Sequence, residues 1–152
     1  MDFKRTGIPN FTLNDSLGNF VIFSRGMTLP QDSRYGAFEG DVQQDGQTYR
    51  LRADQNYTAN EAAYMEVLEV FDGDSFEGIE LLSSTPESFA AELAKIGSTP
   101  VIASDGSRIW WIDERMSFTI KNGVPSTICW WQDTLKDYNE EIENIFTTGQ
   151  VP

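Results

Sequence analysis

The pattern of apolar and polar residues predicts a helix in the second half of the chain. The segment Ser84-Thr85-Pro86-Glu87 combines a hydroxyl cap, a proline suited to the first turn and an acid that complements the helix dipole. Phe89, Leu93 and Ile96 follow at helical spacing. Together these signals predict an amphipathic helix over residues 86–96.

A second helix is predicted at residues 133–146, where Asp133 supplies the cap. Its apolar stripe consists of Leu135, Tyr138, Ile142 and Phe146. Between the two helices, apolar runs separated by turn signals at Asp105-Gly106 and Asn122-Gly123 predict an antiparallel meander. Its strands are predicted at residues 101–103, 108–112, 118–120 and 127–131.

The first half of the chain also carries strand patterns. Residues 48–54 alternate cleanly between apolar and polar side chains, and residues 19–23 have the composition of a strand. Residues 64–71 are a further strand candidate, although residues 61–66 could equally nucleate a helix. Residues 25–38 are predicted to be irregular or to form a short helical turn.

The two halves share a weak internal repeat, at residues 17–73 and 76–132, in which Asp45-Gly46 corresponds to Asp105-Gly106. Chance similarity between short hairpins is the alternative. We predict one domain over residues 1–152, with an α+β fold, a mainly antiparallel sheet and helices packed on one face. The predicted core consists of Tyr49, Leu51, Phe89, Leu93, Ile96, Ile109, Phe118, Ile120, Ile128 and Ile142.

Charge and residue inventory exclude several classes of function. The 152 residues include 24 Asp and Glu against 11 Lys and Arg, a net charge of −13. Such a charge disfavours contact with nucleic acid phosphates or anionic lipid and makes a basic partner the natural complement. The chain has no His and one Cys, which excludes zinc sites of the usual kind, Ser-His-Asp triads and Cys-His dyads.

No motif in the sequence indicates a cofactor. The Walker, dinucleotide-binding and nucleophile-elbow patterns are missing. The segment Asp72-Gly73-Asp74 begins like a calcium loop, but the glycine and the glutamate that an EF-hand requires further along are not there. An acidic turn is the interpretation that we adopt, and we expect no metal, no cofactor and no enzymatic activity.

Cellular location is predicted from the length of the apolar runs. None is long enough for the core of a signal peptide or for a membrane span. This predicts a cytoplasmic protein that does not associate with membranes. Cys129, as a lone cysteine in an apolar segment, is predicted to be a buried core residue.

Two tryptophan pairs, Trp110-Trp111 and Trp130-Trp131, place one ring on each face of their strands. One tryptophan of each pair must therefore leave the core that the helix covers. Either it is buried under a loop or the last helix, or it forms part of a contact surface. On the second interpretation, Trp111 and Trp130 are candidate partner-binding residues.

The distribution of charge is the most informative feature of the sequence. No basic residue occurs between Arg52 and Lys95, a span that contains ten acids. The span is either a solvated face or a surface that steers a cationic partner. The candidate partner-binding acids within it are Glu66, Glu69, Asp72, Asp74 and Glu77.

The segment from Phe76 to Leu82, followed by residues 84–89 and a D-G turn into aromatic strands, resembles bacterial immunity-type proteins of polymorphic toxin and contact-dependent growth inhibition systems. The similarity covers about residues 17–132. It implies a small, acidic, cytosolic protein without catalytic residues that occludes one cognate toxin. The family has no shared contact motif, so the resemblance assigns no site residue.

Three functions follow as hypotheses. The first is an immunity protein that neutralises a cognate toxin domain, specifically a nuclease with a basic groove. The alternative is an acidic nucleic-acid mimic that inhibits a restriction or defence enzyme. The third is a hydrolase that uses a carboxylate pair such as Asp113-Glu114, which would need a concave pocket and a carboxylate with a raised pKa.

Overall fold

The computed structural model describes residues 1–8, 11–12, 25–28, 37–55 and 62–131. Within these residues the fold is α+β and consists mainly of antiparallel sheet, which confirms the predicted class. The predicted strand at residues 19–23 and the predicted helix at residues 133–146 lie outside the described part, as does Ile142.

The elements of the described residues are named in chain order. They are β1 (Asp2–Phe3), β2 (Gly7–Ile8), β3 (Phe11–Thr12), β4 (Arg25–Thr28), β5 (Ala37–Gln44), β6 (Gln47–Gln55), β7 (Ala62–Val67), β8 (Ser75–Phe76), β9 (Ile79–Glu80), α1 (Pro86–Ile96), β10 (Val101–Ile102), β11 (Arg108–Trp111), β12 (Met116–Lys121) and β13 (Val124–Trp131). A 3₁₀ turn, Ile112–Glu114, connects β11 to β12.

An eight-stranded sheet in the order β10-β11-β12-β13-β7-β6-β5-β4 is the main layer. All neighbouring strands are antiparallel. Strands β4 to β7 and β10 to β13 each form a four-stranded meander, and the two meanders meet where β7 pairs with β13. The last strand of each meander therefore lies at the centre of the sheet.

Tight two-residue turns close two of the hairpins. Asp45-Gly46 joins β5 to β6, and Asn122-Gly123 joins β12 to β13; all four residues have φ between 53° and 78°. Positive φ at both turn positions matches the twist of the flanking strands and favours Asn, Asp and Gly. The predicted turn at Asn122-Gly123 is confirmed, as is the one at Asp105-Gly106 between β10 and β11.

Helix α1 begins and ends where its local signals predict. The Thr85 hydroxyl accepts a hydrogen bond from the Ser88 N–H at 3.1 Å, and the Ser88 hydroxyl accepts one from the Thr85 N–H at 2.9 Å. This reciprocal cap satisfies donors that the first turn leaves free. Phe89 and Leu93 are fully buried, and the Phe89 ring lies 4.8 Å from that of Phe118 on the main sheet.

The start of the chain is built into the fold through a second, smaller sheet. Strand β1 pairs in parallel with β8, which in turn pairs with β9. Phe3 is fully buried between the rings of Tyr49 and Trp130. The Trp130 indole N–H donates to the Lys4 carbonyl at 2.9 Å. Residues far apart in the sequence thus close one side of the core.

The core agrees with the sequence prediction at most positions. The predicted residues that are buried are Tyr49, Leu51, Phe89, Leu93, Ile109, Phe118 and Ile128. Ile96 and Ile120 are partly buried and pack against this core. Both follow the apolar pattern, but Ile96 ends α1 and Ile120 lies next to the end of β12, where fewer neighbours surround a side chain.

Two predicted segments differ from the structure. The sequence predicts irregular or helical chain over residues 25–38, yet Arg25–Thr28 is strand β4 and strand β5 begins at Ala37, while residues 29–36 lie outside the described part. Pairing of β4 with β5, and of β5 with β6, favours extended chain there over the weak local pattern. The strand expected at residues 64–71 exists, but it spans Ala62–Val67, because the chain then turns away from the sheet.

Candidate partner-binding surface

Trp111 and Trp130 belong to the core, so the expectation that they form exposed contacts is wrong. Both side chains are fully buried. The Trp111 indole N–H donates to the Ser98 carbonyl at 2.6 Å, and that of Trp130 donates to Lys4. Both rings lie on the face of the sheet that packs against α1 and β1.

The other member of each pair lies on the opposite face of the sheet. Trp110 and Trp131 meet edge to face, with ring centroids 6.1 Å apart, and form a second cluster with Ala103. Arg108 lies over the Trp110 ring at 4.9 Å from its centroid. Both indoles are buried, which agrees with burial and not with a contact surface; the predicted last helix, one of the two covers considered, lies outside the described residues.

Asp74 is a structural residue and not a surface acid. Only 3% of its side chain is exposed, and one carboxylate oxygen accepts from the Met1 α-amino group at 2.8 Å and from the Tyr49 hydroxyl at 2.7 Å. The other oxygen accepts from the Phe71 N–H at 2.8 Å. Burial and this carboxylate raise the pKa of Tyr49. The expectation of an exposed partner contact at Asp74 is therefore wrong.

Glu77 is also engaged within the chain. Its carboxylate accepts from the Arg5 N–H at 2.8 Å and lies 4.0 Å from the Lys4 ammonium. The residue has φ of 48° in the turn between β8 and β9, and its side chain is 25% exposed. Glu77 thus holds the N-terminal segment on the turn and contributes less free charge than expected.

Glu66 lies half-buried on the same face as Trp110 and Trp131. The Tyr64 hydroxyl donates to its carboxylate at 2.8 Å and lies 3.3 Å from the Cys129 Sγ. Burial, followed by the Glu66 carboxylate, raises the pKa of Cys129 to about 11. The thiol is therefore protonated at neutral pH and is a buried residue, as predicted.

Basic groups from the start of the chain neutralise part of the acidic span. The Met1 amino group pairs with Asp74, and Lys4 with Glu77. The span between Arg52 and Lys95 lacks basic residues along the sequence, but the fold brings cations to it from residues 1–5. The acids of the span are therefore partly neutralised by cations that are distant in the sequence.

Glu69 and Asp72 remain as the exposed acids among the predicted site residues. Both lie in the loop between β7 and β8, and within the described residues neither carboxylate forms a hydrogen bond or an ion pair. Asp72 is exposed, although Asp74 two residues later is buried. Glu69 and Asp72 therefore remain candidate partner-binding residues.

Antiparallel order places further acids at the same end of the sheet. The β5–β6 turn, the β7–β8 loop and the β10–β11 turn all lie at this end, because strands that alternate in direction place every second connection together. Each of these connections carries an exposed acid. We call this group the acidic turn end; it consists of Asp45, Glu69, Asp72 and Asp105.

Two basic residues lie near the acidic turn end. Lys121 is exposed at the end of β12, and Arg108 at the start of β11 is held over the Trp110 ring. The Ser107 hydroxyl and N–H donate to the Asp105 carboxylate at 2.6 and 3.0 Å, and these bonds lower the pKa of Asp105. Acids therefore outnumber bases at this end of the described structure.

The sequence did not indicate Asp45 and Asp105 as partner-binding residues, although it predicted the turns that contain them. Their sequence signal, an Asp-Gly pair between strands, predicts a turn and does not say which turns lie together. That information depends on the order β11-β12-β13-β7-β6-β5, which joins the two halves through β7 and β13.

The described residues hold no group of three or more His, Cys, Asp and Glu that could bind a metal ion. The carboxylates of Asp113 and Glu114 do not form a pair in a pocket: Asp113 is exposed, whereas Glu114 accepts from the Ser98 N–H and lies 3.7 Å from Arg5. Within the same residues, no helix has both the length and the apolar character needed to cross a membrane.

These positions leave the acidic turn end as the candidate site, and Glu69 and Asp72 are the members that the sequence also predicted. We compared the chain with models of known families, with curated proteins and with solved structures. None of the three comparisons gives a match.

Proposed function

We propose that this chain is a binding protein that neutralises a basic partner by occluding it, and that the partner approaches the acidic turn end. The observation that carries the proposal is the pair of exposed carboxylates, Glu69 and Asp72, which have no partner in the described part of the chain. Charges held free on a surface raise the rate of encounter with an oppositely charged protein by about 10- to 1,000-fold. Charges already paired within the fold contribute much less.

The proposed partner is a bacterial toxin domain, specifically a nuclease. A nuclease presents a basic groove to phosphates, and carboxylates complement such a groove. The resemblance of the segment at residues 76–89 to immunity-type proteins supports this choice. We place the protein in the cytoplasm of the cell that makes the toxin, where an immunity protein acts.

The spacing of the acids bears on the alternative, a nucleic-acid mimic. Strands lie about 4.8 Å apart, and the β10–β11 and β5–β6 turns are five strand positions apart in the sheet, so the acids of the acidic turn end are spread over about 24 Å. DNA carries one negative charge per roughly 1.7 Å of its axis. The acidic turn end is much sparser than that, which supports a protein partner recognised by a few charges over imitation of a duplex.

The proposal is tested by co-expression with the gene that lies next to this one in its genome. If that gene encodes a toxic domain, we expect this chain to restore growth. The double variant Glu69→Lys, Asp72→Lys should restore it less well. The control is Glu92→Lys, Asp113→Lys, which makes the same change in net charge at exposed acids away from the acidic turn end; Glu92, unlike Glu69 and Asp72, is paired with Lys95.

A neighbouring product that is harmless, or that stays toxic in the presence of the chain, would contradict the immunity function. Equal loss of protection in the two double variants would contradict the role of the acidic turn end, because only net charge would then matter. Circular dichroism of both variants checks that they are folded.

The internal duplication is also part of the proposal. The two four-stranded meanders meet at the β7–β13 pair, which supports a correspondence of β7 with β13. The two Asp-Gly turns are not equivalent in this arrangement. Asp45-Gly46 joins the second and third strands of its meander, whereas Asp105-Gly106 joins the first and second. The proposed repeat therefore rests on the order of the strands and not on the two Asp-Gly turns. The packing of helices on one face of the sheet is also kept as part of the proposal.

A further inference from the structure

The turn between β12 and β13 contains Asn122 followed by Gly123. This is the one Asn-Gly pair in the sequence; the other seven asparagines precede larger residues. A glycine after asparagine offers the least hindrance to attack by its backbone nitrogen on the asparagine side chain, because it has no Cβ. The sequence therefore gives Asn122 a reactivity that the other asparagines lack.

The structure leaves this pair open to reaction. Asn122 and Gly123 are both exposed, and a Cβ placed on Gly123 would have no atom within 4 Å. No hydrogen bond to the Gly123 N–H occurs within the described residues, so the attacking nitrogen need not break one. Asn122 has φ of 54°, a sparsely populated backbone region.

We propose that Asn122 is a site of spontaneous deamidation in the folded protein. The Gly123 nitrogen gives its proton to hydroxide and attacks the Asn122 Cγ. The new N–Cγ bond forms as the Cγ–Nδ2 bond breaks, and ammonia leaves with a proton from water. Water then opens the succinimide ring at either carbonyl. The products are aspartate or isoaspartate, and no oxidant or reductant takes part.

The modification changes the local charge and the local backbone. Asn122 lies beside Lys121 at the same end of the sheet as the acidic turn end, so either product adds a carboxylate there. Aspartate keeps the length of the backbone. Isoaspartate inserts an additional carbon into a two-residue turn, where Lys121 faces Val124 in the register of the hairpin. We expect isoaspartate to disturb the ends of β12 and β13.

An effect on binding rests on the proposed function. If a basic partner approaches the acidic turn end, Asn122→Asp should raise its association rate at low salt. The modification itself does not depend on that function and is measured on the isolated protein, so failure of one is distinguishable from failure of the other.

The test is incubation of the purified protein at mildly alkaline pH, with peptide mapping by mass spectrometry. We expect the peptide that contains Asn122 to gain the mass difference between NH₂ and OH and to become a substrate for isoaspartate methyltransferase. The rate in the folded protein should lie within about tenfold of that in the urea-unfolded chain, which limits the added barrier to about 1.4 kcal/mol. Asn122→Ser should abolish the change.

Two results would overturn the proposal. One is retention of the Asn122 amide in the folded protein over a time in which the unfolded chain loses it, because the hairpin would then protect it. The other concerns the destabilised variant Leu93→Ala, which should deamidate at the unchanged rate if the folded state reacts. A faster rate in that variant would assign the reaction to unfolded molecules.

Discussion

At the scale of residues, neighbouring acids in one turn have opposite roles. Asp72 is exposed, whereas Asp74 is buried and joins the Met1 amino group, the Tyr49 hydroxyl and the Phe71 N–H. The stability of a buried charge depends on its partners, since removing one member of a buried ion pair leaves the other charge uncompensated. Sequence alone does not distinguish the two aspartates, because both occur in the same polar segment.

The first prediction compares these two acids. Asp74→Asn should lower the free energy of unfolding by about 3 kcal/mol, because it leaves the Met1 ammonium without a buried counter-charge. Asp72→Asn is the matched control and should change it by less than about 0.5 kcal/mol. Urea denaturation at neutral pH measures both, and equal effects would contradict the structural role of Asp74.

The contacts of the Asp2 carboxylate predict how the stability of the fold changes at acidic pH. Burial raises the pKa of Asp2, but hydrogen bonds from Lys4, Ser75 and the Gly78 N–H together outweigh it and lower the pKa from 3.8 to about 2. A lowered folded-state pKa contributes stability above the ordinary pKa that is lost as pH falls through the folded value. The side chain is 39% exposed, so solvent screening keeps this contribution small.

The stability difference between the protein and its Asp2→Asn variant should therefore be constant above about pH 5 and shrink between pH 4 and 2. Urea denaturation across this range measures it. A difference that stays constant down to pH 2 would show that the Asp2 contacts do not favour the charged form.

At the scale of elements, helix α1 covers the sheet through a narrow apolar stripe. Leu93 lies in the middle of that stripe and is fully buried, whereas the adjacent Ala94 is exposed. Leu93→Ala should lower the free energy of unfolding by roughly 2 to 5 kcal/mol, from lost burial and the cavity left behind. Ala94→Ser should change it by less than about 0.5 kcal/mol. A Leu93→Ala effect as small as that of the control would mean that the helix does not pack as described.

Elements defined by local signals were predictable, and those defined by distant contacts were not. The Thr85 cap and the spacing of Phe89 and Leu93 predicted α1, and the Asn122-Gly123 pair predicted the β12–β13 hairpin. Both predictions succeed because these signals act over a few residues. Strands β1 and β4 consist of residues without a distinct pattern and are extended because a partner strand pairs with them. Distant contacts also place Trp111 and Trp130 in the core, since the Ser98 and Lys4 carbonyls accept hydrogen bonds from their indole N–H groups.

At the scale of the whole molecule, the topology decides which acids have cationic partners within the described residues. The N-terminal Lys4 and Arg5 lie against Glu77 and Glu114, away from the acidic turn end. Of the seven candidate site residues, Glu69 and Asp72 are both exposed and unpaired within the described part of the chain. Net charge could be read from the sequence, but which acids are free depends on contacts between residues more than 70 positions apart.

In the proposed function, free carboxylates at the acidic turn end steer a basic partner. The most direct measurement is the association rate constant with the inactivated toxin domain at low and high salt. Glu69→Lys, Asp72→Lys should slow association at least about tenfold at low salt and flatten its salt dependence. Glu92→Lys, Asp113→Lys should have a clearly smaller effect. Association that is indifferent to salt and equal in both variants would contradict the claim and leave the acidic turn end as a solvated surface.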